Sequence, residues 1–206
     1  MLELIFVIVV LGIIAALAIP RLERDLRQEA ADNILSAIRY TQHMALMDNK
    51  HNLNSTDWHK SFWTIFFQAN GQYYTISSNI DYGNSVDRNE TARDPVTGQR
   101  FFSDDATIDA DESKTIFLNH NYGIDTIDFT NCQTTSNGTN VSNHIAFDHM
   151  GRPHKGMYGV ATNIYDTRMN ADCRITFSFS DASIDPIVIR IQEETGYAQV
   201  VGLEAL

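Results

Sequence analysis

The chain has 206 residues, 43% of them hydrophobic, and 26 acids against 15 lysines and arginines give a net charge of −11. That length leaves room for one domain of ordinary size plus an appendage. The acidic balance argues against a general nucleic-acid or anionic-membrane binder, which needs a basic face.

From Met1 to Ile19 the only polar side chain is Glu3, and the run meets Pro20. At about 1.5 Å per residue this makes a helix of roughly 28 Å, close to bilayer thickness, so residues 1–20 are predicted as a transmembrane helix. A charge inside such a segment costs about 2.5–3.5 kcal/mol at its centre and less near an end. Glu3 therefore calls for a partner that its own helix does not contain. A secretory signal peptide accounts for Ala16-Leu17-Ala18 as a small-residue cleavage site, but it needs a positive n-region where this chain has Glu3. A plain single-pass anchor leaves Glu3 unexplained. An assembly helix explains it.

Pro20 removes one backbone donor, which predicts a kink or local melting. Residues 21–50 then become amphipathic: Leu22, Leu26, Ala30, Ile34, Ile38, Thr41 and Ala45 recur every three or four positions, widened by Leu35 and Leu46. The helix is expected to end near Asp48-Asn49-Lys50.

Residues 51–206 read as one β-rich globular head. Residues 62–68 and 72–77 flank Ala69-Asn70-Gly71 as a β-hairpin. Further strands are expected at Lys114–Leu118, Ile124–Phe129, His144–Asp148, Arg174–Phe179 and Pro186–Gln192, with Gly196–Val200 completing a terminal hairpin. Residues 79–113 are polar and turn-rich, which predicts a long surface excursion.

Cys132 and Cys173 are the only cysteines. In an exported domain such a pair favours a disulfide over free thiols, closing a loop of roughly 40 residues and stabilising by about 2–4 kcal/mol. His144, His149 and His154 recur at intervals that suit neither a helix face nor a strand face, so they read as surface histidines rather than metal ligands. Asp104, Asp105, Asp109, Asp111 and Glu112 read as a solvated acidic loop. The alternative is calcium held by Asp105, Asp109, Asp111 and Glu112, although no glycine follows at the turn an EF-hand requires. Asn89 opens an Asn-Glu-Thr acceptor with Asp87 two positions upstream, a glycosylation candidate; simpler acceptors begin at Asn54, Asn137 and Asn140. No Ser-His-Asp set, paired catalytic acid or phosphate loop stands out, so neither an enzyme nor a cofactor is expected.

The segment Glu3–Pro20, with its glutamate, Gly12, its proline and their separations, closely resembles the N-terminal signature of type IV pilins and type II secretion pseudopilins. The resemblance covers about a tenth of the chain. It implies that Glu3 neutralises the N-terminal amine of a neighbouring subunit, an attraction strengthened by low dielectric, and that Glu3, Gly12 and Pro20 serve subunit assembly. Relative to the family, the chain begins two residues late and lacks the basic leader cut by prepilin peptidase, as a truncated start or a trimmed form would. Ile145–Pro153, with Phe147, Asp148, Gly151, Arg152 and Pro153, resembles the strand-turn segment of GspH/FimT-type minor pseudopilins. Residues 34–46 and the closing strands around Ile189–Tyr197 resemble the same group. Some FimT-like proteins bind DNA through basic residues near the C-terminus; here Gln192-Glu193-Glu194 precedes Gly196 and no arginine follows it, so no nucleic acid is expected.

The resemblance thus implies an α+β protein, a long N-terminal helix (transmembrane, then amphipathic) packed on an antiparallel β-rich, periplasmic head of pilin-like form. Its expected function is that of a minor pseudopilin in a type II secretion pseudopilus at the bacterial inner membrane. Its expected partners are other pilins or pseudopilins through the helix, the inner membrane, and prepilin peptidase on the precursor. The alternatives are a minor pilin of a type IV pilus or a membrane-anchored periplasmic binding module.

Overall fold

The computed structural model describes the chain except residues 1, 53, 69, 84, 106, 130, 131, 133, 137, 138, 142, 158–166 and 203–206. The side chains of residues 2–4, 13–24, 134–136 and 139–141 also lie outside the description. The first element is α1 (Leu2–Met47). It passes Pro20 without interruption, so losing one backbone donor does not melt the helix there.

From Leu26 onward the amphipathic period decides what is buried. Ala30, Ile34, Ile38, Thr41 and Ala45 are enclosed, Ala31 and Ala37 fill the same side, and Leu46 stays outside. Small residues there let the backbone lie close to the sheets. Polar side chains then tie the helix to backbone carbonyls: the Arg27 guanidinium donates to Asp185 O (2.9 Å) and Pro186 O (3.2 Å), Arg39 to Ala198 O (3.1 Å), and the Tyr40 hydroxyl to Arg93 O (2.9 Å).

The strands are β1 (Trp63–Phe67), β2 (Tyr74–Ser77), β3 (Ile124–Asp128), β4 (Thr134–Ser136), β5 (Thr139–Val141), β6 (His144–Phe147), β7 (Pro153–His154), β8 (Cys173–Phe179), β9 (Ile187–Ile191) and β10 (Ala198–Val201). They form an antiparallel sheet in the order β2-β1-β6-β7, a second in the order β10-β9-β8-β3, and a separate β4-β5 hairpin. Helix α1 touches β1 and β6 of the first sheet and β9 and β10 of the second. Phe67 joins the sheets beneath it, its ring 5.3 Å from that of Phe177 and 6.0 Å from that of Phe129.

The expected fold, a transmembrane-then-amphipathic helix on a pilin-like head, is corrected here. Among the described residues no helix is long and apolar enough to cross a membrane. A span needs about 20 apolar residues, whereas the uncharged run that begins at Leu4 ends at Ile19, with Pro20 and Arg21 next. The β-rich part is likewise two four-stranded sheets bridged by the helix and by aromatic contacts.

Two local expectations also change. Lys114–Leu118 is no strand: a 3-10 turn (Lys114–Ile116) leads into α2 (Leu118–Tyr122), which stops at Gly123 in the left-handed region at φ 72°. Ile116, Phe117 and Leu118 are all buried, and a continuous apolar run of that length does not distinguish strand from helix. Nor do residues 79–113 form a mere surface excursion. Their backbone is stitched to β2 by Ala92 N–H to Ile76 O (2.8 Å), Ile76 N–H to Phe101 O (3.0 Å) and Ser78 N–H to Glu90 O (2.9 Å). Polar residues go inside because turn donors satisfy them. The Glu90 carboxylate accepts from the N–H groups of Ile80, Asp81 and Asp87, and Asp94 accepts from Val96 N–H and the hydroxyls of Thr97 and Ser113.

Candidate functional site

The free end of α1 carries the most unusual surface. Ile5, Phe6, Val7, Ile8, Val9, Val10 and Leu11 are all exposed, from 36% for Val10 to 68% for Phe6. Consecutive residues on a helix point all round it, so two full turns present hydrocarbon on every side. Gly12 closes this stretch, exposed and with open space around its Cα. The side chains of Glu3 and Pro20 lie outside the described residues. Thus the same helix is buried along one stripe at its C-terminal end and exposed all round at its N-terminal end.

The family-like turn is a buried polar knot between β6 and β7. One Asp148 carboxylate oxygen accepts from the N–H groups of Met150 and Arg152, both at 2.9 Å; the other accepts from the Arg152 guanidinium at 2.7 Å. His154 Nε2 lies 3.5 Å from that second oxygen, and its Nδ1 is 2.9 Å from the Thr167 hydroxyl. Burial alone would raise the Asp148 carboxyl, but the hydrogen bonds from His154, Arg152 and Met150 outweigh it and hold it well below the usual carboxylate range. Thr167, His154 and Asp148 line up as a hydroxyl, imidazole and carboxylate do in nucleophilic enzymes. With 2%, 1% and 0% exposure, however, they admit no substrate, and Arg152 already pairs with the acid.

The C-terminal segment closes over this turn. The Gln42 amide of α1 donates to Gly151 O at 2.9 Å and Thr195 O at 2.8 Å, clamping the β6–β7 turn to the β9–β10 turn. Gly196 is required here. A Cβ on it would fall 2.2 Å from Gly151 O, and its φ of +67° is left-handed.

No family model, curated protein or solved structure matches this chain.

The remaining sequence-derived sites are distributed over the head. Cys132 and Cys173 are joined in a disulfide. Pro153 opens β7, and Phe147 ends β6 fully buried. The expectation of surface histidines fails at two positions, for His144 is 4% and His154 1% exposed. Each finds a hydrogen-bond partner inside, and His144 Nε2 accepts the Met157 N–H at 3.0 Å. Burial pushes the His144 imidazole down to about 4, consistent with a neutral acceptor.

The acidic segment is organised by a cation rather than merely solvated. The Arg88 guanidinium reaches Asp111 (2.8 Å), Glu112 (3.1 Å) and Asp109 (3.2 Å), and Arg100 lies 3.8 Å from Asp111. Burial pushes the Glu112 carboxyl up, against the opposing pull of the Asp109 N–H and Arg88. Asp105 is not in this knot; its carboxylate caps the Thr107 N–H at 2.6 Å. Among the described residues no group of acids, histidines or cysteines is arranged to hold a metal ion. Asn89 is exposed in the 3-10 turn Arg88–Glu90, and its side-chain oxygen is 3.4 Å from Arg100 Nη2. Asn137 and the side chain of Asn140 lie outside the described residues.

Sequence reasoning missed Gln42 and Arg88. Gln42 is one polar residue on a helix face, and nothing local marks the two distant turns it joins. Arg88 had a signal, since a cation with acids 21 to 24 positions further on is a pairing candidate once the segment is known to fold back.

Proposed function

We propose that the chain is a structural assembly subunit, a minor pseudopilin of a type II secretion pseudopilus. In this role the exposed N-terminal end of α1 packs among the helices of neighbouring subunits at the inner membrane, while residues 51–206 are carried on the periplasmic side. The observation that carries the proposal is the unbroken exposure of Ile5–Leu11 on a helix anchored by Arg27, Arg39, Tyr40 and Gln42. Contiguous exposed hydrocarbon of this kind marks a surface that works when covered. The Glu3–Pro20 pattern supports the choice of cover, because an acid at the head of an apolar helix gains most from a neighbouring subunit's amine. No catalytic step is assigned, and function lies in packing.

The test is crosslinking of the natural protein to its neighbours in membranes of its own host, with Glu3→Ala and Ile8→Asp variants. Both should fold, because among the described residues the contacts that dock α1 on the sheets begin at Leu26, and both should lose subunit crosslinks together with secretion. Retention of crosslinks and secretion by Glu3→Ala would reduce the helix to a plain anchor. Mass spectrometry of the mature N-terminus gives an independent check: a methylated residue two positions before Met1 supports prepilin processing, whereas an N-terminus at Ile19 overturns the assembly role.

A further inference from the structure

Away from α1, the outer edge of the first sheet carries a cleft of about 340 Å³. Its floor is Phe66 of β1 with Tyr73, which precedes β2, and Thr75 and Ser77 of β2, and Phe102 and Ser103 stand across it. Strand alternation puts residues 73, 75 and 77 on one face, and the register sets Phe66 opposite Thr75. Tyr73, Thr75 and Ser77 are more than nine-tenths buried, at 7%, 7% and 2% exposure. Among the described residues, none of their three hydroxyls has a hydrogen-bond partner in the protein, and none is fully enclosed. They therefore open onto the cleft. Hydroxyls that open onto a cleft are hydrated there, so a molecule that enters must replace those bonds or lose them.

The lining restricts what that could be. Among the described residues no charged side chain lines the cleft, so an anion would shed its water without gaining a counter-charge, and a cation would find carboxylates only behind the lining. A pure hydrocarbon would leave the hydroxyls unsatisfied. The fitting ligand is neutral, both donates and accepts hydrogen bonds, and offers C–H faces to the rings of Phe66 and Phe102. The Arg88 guanidinium, 5.3 Å from the centre of the Phe102 ring, braces that wall. The volume falls in the range of small-molecule sites. We propose that this cleft binds a neutral pyranose sugar, its ring against Phe66 and Phe102 and its hydroxyls bonded along Tyr73, Thr75 and Ser77. Such a ring arrives either as a free monosaccharide or as part of a glycan chain. The carboxylates of Asp104, Asp105 and Glu112, close enough to act on the Tyr73 hydroxyl, disfavour acidic sugars.

The test is amide-resolved NMR titration of the full chain, in a detergent without a sugar headgroup, with glucose, galactose, N-acetylglucosamine, their trisaccharides, and galacturonate as an anionic control. A neutral sugar should shift the amides around residues 66, 73–77 and 102–103, with galacturonate markedly weaker. Thr75→Val and Ser77→Ala, which remove hydroxyls that bond nothing in the protein, should each weaken binding by up to about tenfold without lowering the melting temperature. Tighter binding of a trisaccharide assigns the site to a glycan, and equal binding assigns it to a free sugar; both support it. The proposal is overturned by the absence of localised shifts with every neutral sugar at tens of millimolar, by equal binding of galacturonate, or by unchanged affinity in both variants.

Discussion

Acidification should weaken the fold through His144 well before Asp148 is protonated. In the folded chain its imidazole is pushed by burial from 6.5 to about 4, while Nε2 accepts the Met157 N–H. Between those values the unfolded chain binds a proton that the folded chain refuses. Stability from this group is therefore complete above about pH 6.5 and falls as the pH drops toward 4. A gap of about 2.5 units at ~1.36 kcal/mol each amounts to roughly 3 kcal/mol, of which about 2 kcal/mol is gone by pH 5. Asp148 acts in a separate window. Its depressed carboxyl contributes stability above 3.8 that disappears only at lower pH, as the folded value is passed. Urea unfolding at pH 7 and pH 5 should show the loss in the natural sequence. His144→Gln, whose amide oxygen accepts the same N–H but does not titrate, should be less stable at pH 7 and lose about 2 kcal/mol less on going to pH 5. Equal losses in the two proteins, or a native His144 resonance titrating near 6.5, would refute the reasoning.

Gly196→Ala should destabilise by more than about 1 kcal/mol in denaturant unfolding, because the new Cβ meets Gly151 O at 2.2 Å and the backbone is left-handed. Gln42→Ala removes both bonds of the clamp and should cost about 1–2 kcal/mol, with faster amide exchange in the turns around Gly151 and Thr195 but not in β3. Replacing Cys132 and Cys173 together by serine should lower stability by about 2–4 kcal/mol, and a reductant should then have no further effect on the melting temperature. Arg88→Gln should open residues 88–112 to proteolysis, since Asp109, Asp111 and Glu112 lose their shared cation.

At several places where the side-chain pattern is local, the sequence alone was decisive. The 3.6-residue period of residues 26–45 marks the face that is buried, the Asn-Gly break places the β1–β2 hairpin, and the apolar run Ile5–Leu11 marks a segment with no polar face to show water. Gly-Arg-Pro likewise announces the turn before β7. What contacts set between distant positions was decided only by the tertiary structure. Residues 79–113 look solvated, yet Glu90 and Asp94 go inside because turn amides and hydroxyls complete their bonds. His144 and His154 look superficial until β6 and β7 pair and enclose them. The row of hydroxyls at Tyr73, Thr75 and Ser77 becomes a site only when Phe102 and Ser103 are brought across from it. Periodicity reports which way a side chain points, but burial of a polar group depends on where its partner comes from, and that partner is remote in the chain.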